Sequence, residues 1–344
     1  MFDTLPGSIT PRMNGAKLEV EGWKRGVTEK NNSSFYVFGD MRKHQRNLRK
    51  NRLFIVVSLV VILFVLYKFN YVSISNISPP FSSNKVPLII VITPTYKRPT
   101  RLADLTRMSN TLSHVPHLHW IVVEDSHNKV KHVEKLLQRS TLPYTYIAVR
   151  TIPGYPKRGW YQRTMALTHI REHTSEVLNG HENGVVYFGD DDNSYDVRLF
   201  TNYIRNVKKV GLWAVGMVGG TAVESPDVVN GSVVGFKVKW NPNRKFAVDM
   251  AGFAINLSVV LGSSAVFGTS CARGAGAPET CLLEDMGLTR GDIEPFGYDK
   301  KEEREILVWH TKTVKPTLGD NKSKGNSTAK NNAPLETNGF IFEA

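Results

Sequence analysis

Cysteine is almost absent from this chain: among 344 residues there are two, Cys271 and Cys281. So low a count excludes a disulfide-built scaffold and a cysteine-based zinc site. A glycine-rich dinucleotide loop is lacking as well, since no G-x-G-x-x-G follows the first β-branched run, which argues against an ordinary dinucleotide enzyme. There are no internal repeats. Arg-rich helices, zinc-finger spacings and aromatic RNA-binding signatures are missing too, so the net charge of +13 is not read as a nucleic-acid footprint. Residues 1–70 hold 12 Lys/Arg against 5 Asp/Glu, which is +7 of that total, and the rest is spread thinly. With 41% hydrophobic and 22% charged residues the composition excludes wholesale disorder.

Long apolar runs are also scarce, with one exception. Residues 53–67 read LFIVVSLVVILFVLY, with one Ser and no charge, and reach 20 residues when extended through Lys68 to Val72. Lys68 can snorkel, and the length suits the thinner membranes of the early secretory pathway. A cleaved signal peptide would place its apolar core nearer the start, so a membrane anchor at 53–72 is expected. Arg42, Lys43, Arg46, Arg49, Lys50 and Arg52 crowd its N-terminal flank. The positive-inside rule then leaves 1–52 cytosolic and the C-terminal body lumenal, in a single-pass type II orientation. Residues 73–86 are Ser/Asn/Pro-rich and read as a stem. Asn76, Asn230, Asn256, Asn321 and Asn326 are candidate glycosylation sequons, with Asn256 in an apolar stretch that suits a glycan poorly. In a lumenal setting Cys271 and Cys281 can close a short loop, which spacing alone does not establish.

The body alternates strand and helix. LIIVI (88–92), HWIVVED (119–125), YTYIAV (144–149) and GVVYFGDDD (184–192) read as strands. Between them Leu102, Leu105, Met108 and Leu112, then Val130, Val133, Leu136 and Leu137, then 163–173, carry helical spacing. This order implies an α/β fold with a mainly parallel sheet covered on both faces, forming a nucleotide-binding lobe at 87–195. Residues 196–315 are less regular, with further strands, a helix and a last strand ILVWHTKT, and read as a second lobe; 316–344 form a polar tail. Ligands of parallel sheets bind at the carboxyl ends of strands, here Thr93–Tyr96, Glu124–Asp125 and Asp190–Asp192.

Three consecutive aspartates repel one another and ask for a cation. Hard carboxylate oxygens suit Mg²⁺ or Mn²⁺ bridging a diphosphate, although a solvated acidic loop or a helix cap uses the same residues. The position after an apolar strand favours the metal. Lys157, Arg158 and Arg163 in PKRGWYQR can clamp phosphate or carboxylate, and His310 can touch phosphate or serve packing. Glu279 precedes an apolar run; it is either a helix-start carboxylate or a general base, and residue chemistry alone favours the former.

Taken together, these blocks resemble the animal β-1,3-glucuronosyltransferases of glycosyltransferase family 43. The similarity runs from Pro87 to Thr313 through ITPTYKRPTRLADLTRMSNTL, LHWIVVEDS, WYQRTMAL, GVVYFGDDDNSY, VGMVGG, VVGFKVKWNPNRKFAVDMAGFAINL, ETCLL and ILVWHTKT. It implies a nucleotide-diphospho-sugar transferase fold of the GT-A type with a fused acceptor lobe, in the Golgi membrane. It implies that Pro94, Thr95, Tyr96 and Asp125 hold uridine, and that Arg158, Arg163, Asp190, Asp191, His310 and Lys312 face the UDP-glucuronic acid donor. Asp192 would bind Mn²⁺. Glu224, Trp240, Arg244 and Asp249 would line the acceptor side, and Glu279 would be the base, which reverses the residue-level reading. The implied reaction is inverting transfer of glucuronate to O3 of a terminal galactose, as in the Gal-Gal-Xyl proteoglycan linker or N-acetyllactosamine.

There are departures from the family pattern. Lys312 stands where Arg is typical, which keeps the charge and loses the planar fork. EPFGYDKKEERE lacks a cysteine, so a homodimer would be non-covalent. The Ser225–Gly231 loop differs, which leaves acceptor choice open. Two other readings remain: the same fold with a different UDP-sugar, and a non-catalytic glycan binder.

Overall fold

The computed structural model describes residues 55–64, 85–311, 313, 314, 338, 341 and 343. Lys312, Asn76, Asn321 and Asn326 lie outside the described residues, as do 1–52, most of the stem and most of the polar tail. The chain divides into two compact units, Met1–Ser78 and Pro79–Ala344. In the first, residues 55–64 form a helix (α1) whose apolar side chains are exposed, Ile55 at 57% and Leu63 at 64%. No helix among the described residues is long and apolar enough to cross a membrane, and the rest of the expected 53–72 span falls outside them.

In the second unit the elements follow in order β1 (Leu88–Thr95), α2 (Arg101–Leu112), β2 (Leu118–Glu124), α3 (Lys131–Ser140), β3 (Tyr144–Ala148), α4 (Trp160–Glu172), α5 (Thr174–Leu178) and β4 (Gly184–Phe188). Then come β5 (Ser194–Tyr195), β6 (Val210–Leu212), β7 (Val215–Gly216), β8 (Val223–Val229), β9 (Ser232–Lys237), β10 (Phe253–Asn256), α6 (Leu257–Leu261), α7 (Pro278–Asp285), β11 (Ile293–Pro295) and β12 (Val308–Trp309). Seven strands form one sheet in the order β11-β6-β10-β4-β1-β2-β3, and five form another, β5-β12-β7-β8-β9. In the larger sheet β1 pairs parallel with β2 and β4, β2 with β3, and β6 with β11; β10 alone is antiparallel to its neighbours. The fold is thus mixed α/β with a largely parallel sheet.

Successive strand side chains point to opposite faces, and both faces are covered. Ile90, Ile92, Ile121, Val123, Val186 and Phe188 pack with Trp160, Leu167 and Ile170 of α4. Ile89, Val91, Trp120, Val122, Val185 and Tyr187 pack on the other face with Leu105, Met108 and Leu112 of α2 and with Val133, Leu136 and Leu137 of α3. The helical spacings read from the sequence are these buried stripes.

The structure revises several boundaries. The strand expected at 88–92 continues to Thr95, because Pro94 and Thr95 keep register with Val123 and Glu124. The fourth strand stops at Phe188, so the Asp triplet lies in a turn beyond it, where like-charged side chains need not alternate along a sheet. The helix expected from 163 starts at Trp160. The Ser225–Gly231 segment is strand β8 followed by a hairpin turn rather than a loop, and Asn230 (φ 51°) and Gly231 (φ 75°) form its exposed tip. The boundary at 195/196 does not divide the sheet, since β6, β10 and β11 share it with β1–β4. Among the described residues of 306–313, only Val308–Trp309 form a strand.

Cys271 and Cys281 are bonded, with Cα atoms 5.9 Å apart, which ties the Gly/Ala-rich segment to α7. Asn256 leaves the glycosylation candidates because it is 4% exposed. Its Nδ2 donates to the Val207 carbonyl (3.0 Å), and its Oδ1 accepts from the backbone N–H (3.0 Å) and hydroxyl (2.8 Å) of Ser258. It caps α6 instead. Asn256→Ala removes the cap and strands the Val207 carbonyl, and should lower unfolding free energy by about 1–3 kcal/mol in a denaturant titration. The glycosylated mass should not change.

Candidate active site

The carboxyl ends of β1, β2 and β4 border a cavity of about 440 Å³. β1 delivers Pro94 and Thr95, followed by Tyr96 and Arg98; Asp125 follows β2, and Asp190, Asp191 and Asp192 follow β4. Lys157, Arg158, Gly159, Gln162 and Arg163 close it from the start of α4. The helix can begin there because Gly159 sits at φ 74°; an added Cβ would also lie 2.9 Å from Pro94.

The three aspartates have three different environments. Asp191 is buried, accepting from Thr95 Oγ1 (2.8 Å) and pairing with Arg98 (2.6 Å). Burial pushes its carboxyl up to about 6, with Arg98 and Thr95 opposing. Asp190 pairs with Arg163. The Asp192 carboxylate has no hydrogen bond or ion pair among the described residues, and its carboxyl is raised by burial and then by Asp190. Asp125 is held rigidly: its oxygens accept from the Thr151 backbone N–H (2.7 Å) and hydroxyl (2.9 Å), while its own N–H donates to Thr95 O (2.8 Å).

A second cavity of about 590 Å³ shares Arg158, Arg163 and Asp190 with the first. Its other walls include Glu224, Trp240, Arg244, Asp249, Glu279 and His310. Arg244 stacks on the Trp240 ring at 4.7 Å and donates to the Asn241 carbonyl, and no carboxylate pairs with it among the described residues. Asp249 begins the short helical turn Met250–Gly252 by accepting from the Ala251 N–H (2.9 Å). Burial raises its carboxyl, and burial followed by Asp249 raises that of Glu224. His310 follows β12 and lines this cavity rather than the first.

Glu279 lies in the first turn of α7, after Pro278 at the start of the helix. It is 8% exposed, and its Oε2 has no hydrogen-bond partner. Burial, then the charge of Asp249, pushes its carboxyl up to about 7. A group at that value is poised to take up a proton near neutrality. Arg98 Nη1 and Arg163 Nε are likewise buried without partners. These orphaned atoms sit around the two cavities, where a ligand would satisfy them.

All the expected site residues that the structure describes therefore gather at these two cavities; Lys312 lies outside the described residues. Arg98 was not among the expected residues. Its only signal was a cation in TYKRPT, directly after the strand end that carries Thr95. Gln162, whose amide donates to Val149 O and Thr151 Oγ1, was hidden in the same way inside a helical block. A larger open hollow of about 800 Å³ beside α2 holds no carboxylate and converges on no such set.

A raised carboxyl costs stability when it ionises. Glu279 is neutral in both folded and unfolded chain below about pH 4. The folded state loses ground as pH climbs from the ordinary glutamate value to about 7. Glu279→Gln, fixed neutral, should match the wild type near pH 4 and exceed its unfolding free energy by about 3 kcal/mol above pH 8. Denaturant titrations at the two pH values measure this.

The family model for glycosyltransferase family 43 matches residues 108–314. The chain is 42% identical over 258 residues to galactosylgalactosylxylosylprotein 3-beta-glucuronosyltransferase 1 of Homo sapiens, covering 72% of this chain and 75% of that protein. It is 43% identical over 252 residues to galactosylgalactosylxylosylprotein 3-beta-glucuronosyltransferase sqv-8 of Caenorhabditis elegans, covering 70% and 68%. Among solved structures, S. aureus TarS 1-349 aligns at 15% identity and a TM-score of 0.42, over 64% of this chain and 60% of that one. Similarity of this extent to proteins of one kind, together with the family match over most of the globular unit, places the chain in glycosyltransferase family 43.

Proposed function

We propose that the protein is an inverting β-1,3-glucuronosyltransferase that moves glucuronate from UDP-glucuronic acid to O3 of a terminal galactose, as in the Gal-Gal-Xyl linker of proteoglycans. The observation that carries this reading is the unpartnered Glu279 Oε2, buried in a cavity that shares Arg158, Arg163 and Asp190 with the cavity at the strand ends. A base and a donor site with a common wall suit a single displacement. The names of the relatives support the choice of sugar and acceptor.

The donor occupies the first cavity, with uracil and ribose against Tyr96, Asp125 and Asp191, and the sugar towards Arg163 and Asp190. The acceptor lies in the second, stacked on Trp240 and hydrogen-bonded by Glu224, Arg244 and Asp249. Glu279 takes the proton from the acceptor hydroxyl as that oxygen attacks the anomeric carbon, and the carbon–UDP bond breaks on the opposite face. Arg158 and His310 orient the donor's anionic groups.

Among the described residues no three His, Cys, Asp or Glu side chains cluster as a metal cage. The Asp192 carboxylate, with no hydrogen bond or ion pair among the described residues, fits an ion held jointly by one protein carboxylate, water and phosphate oxygens. When bound there, Mn²⁺ supplies positive charge against the departing diphosphate. A Golgi lumenal location behind a type II anchor at 53–72 completes the proposal. Both cysteines are engaged with each other, so a homodimer would be non-covalent.

A transfer assay on the detergent-solubilised full chain tests the reading. It offers UDP-glucuronate, UDP-xylose and UDP-glucose to Gal-β1,3-Gal and to N-acetyllactosamine, with and without Mn²⁺. Selective, Mn²⁺-dependent glucuronate transfer is expected; transfer from another donor, or glycan binding without turnover, would overturn it. Glu279→Gln should lower kcat by about 10²–10⁴-fold while sparing UDP affinity. Asp192→Ala should cost at least about 10²-fold and abolish the Mn²⁺ response. The wild-type kcat/KM should climb about tenfold per pH unit on the acid side and level off above about pH 7, because the base must be ionised.

A further inference from the structure

A buried ionic cluster lies behind the first cavity, and nothing in the proposed chemistry uses it. Arg101, the first residue of α2, is fully buried. One end of its guanidinium meets Glu124, the last residue of β2. The other side meets Glu343: Nε donates to Oε2 at 2.6 Å, and Nη2 donates to Oε1. Glu124 in turn accepts from the Tyr146 hydroxyl of β3 at 2.9 Å. A residue 242 positions further along the chain thus closes a two-pronged contact on a buried cation.

The location gives this cluster a reach beyond packing. Glu124 immediately precedes Asp125, and its carbonyl accepts from Val149 N–H (2.9 Å) at the end of β3. Asp125 is bonded to Thr95 on one side and Thr151 on the other. Arg101 lies three residues after Arg98, which holds Asp191. The same first turn of α2 receives a second tie from near the end of the chain, where the Thr313 hydroxyl donates to Asp104 (2.7 Å). Arg101 therefore joins the ends of β2 and α2, and both ends carry walls of the cavity.

We propose that Glu343 is a positioning residue for the donor site: by clamping Arg101 it fixes the end of β2, and hence Asp125, in the geometry that holds the nucleotide. The inference rests on the first cavity being the UDP site. Without the carboxylate, two N–H groups of a buried guanidinium lose their acceptors, and Arg101 is free to pull Glu124 out of line.

The test measures UDP dissociation constants in Mn²⁺ by calorimetry on the full chain, together with separate Michaelis constants for donor and acceptor. Glu343→Gln keeps the shape of the side chain but turns an amide N–H₂ towards Arg101. It should raise the UDP dissociation constant and the donor KM about tenfold, the scale of one lost charge-assisted hydrogen bond. The acceptor KM and kcat should stay within about twofold, because the second cavity is untouched. Glu343→Asp, which keeps the charge, should fall between Gln and wild type and serves as the test if the Gln variant does not fold. Amide exchange at Asp125 and Thr151 should quicken in both variants. Wild-type UDP affinity in the variants, with only a lowered melting temperature, would reduce Glu343 to a structural clasp and overturn the proposal. Failure of the wild type itself to bind UDP would instead overturn the donor-site reading, and this proposal with it.

Discussion

The site depends on one pairing arrangement: β1 lies between β2 and β4 and runs parallel to both. Parallel strands in register end at the same edge, so whatever follows each of them is delivered to one place. Thr95, Asp125 and the Asp triplet are far apart in sequence and adjacent only because three strands stop together. The hydrogen bond from Asp125 N–H to the Thr95 carbonyl and that from the Thr95 hydroxyl to Asp191 are the consequences. Ile90, Ile92, Val123 and Phe188 on one face, and Val91, Val122 and Tyr187 on the other, hold that pairing by burying both sides of the sheet.

Beyond that edge the problem is electrostatic. Asp190, Glu224, Asp249 and Glu279 line one cavity, and like charges at close quarters cannot all ionise freely. Three of the four are handled in different ways. Asp190 has a guanidinium partner in Arg163, Asp249 a backbone N–H, and Glu279 has no partner on Oε2, with burial and then the charge of Asp249 raising its proton affinity. The same carboxylate chemistry thereby gives an ion-paired anchor in one position and, in the proposed reaction, the base in another. The disulfide and the proline that begins α7 keep Glu279 at its station, since both act on the helix that carries it.

The cations divide in a similar way. Arg163 and Arg98 are committed to aspartates yet keep one buried nitrogen each without a partner. Arg244 rests on Trp240 and pairs with no carboxylate among the described residues, and it lines the second cavity. Arg101 is fully enclosed between Glu124 and Glu343 and acts on the site through the ends of the strands rather than by contact.

The order of strands and helices, the two-sided burial and the acidic strand ends were legible in the sequence, because they rest on local periodicity: alternation along a strand, and recurrence of three and four along a helix. The resemblance of ordered blocks then named residues that line the two cavities. Tertiary structure alone decided the rest. Nothing local shows that Asp191 meets Arg98, that His310 belongs to the second cavity, or that Asn256 caps a helix instead of facing solvent. Nor does local pattern show that β10 inserts beside β4 and brings β6 and β11 into the larger sheet with β1–β4. The pairing of Cys271 with Cys281 and the reach of Glu343 to Arg101 belong to the same class. Periodicity reports which face of an element is buried; which distant residue it is buried against depends on how the elements pack, and that was settled only in three dimensions.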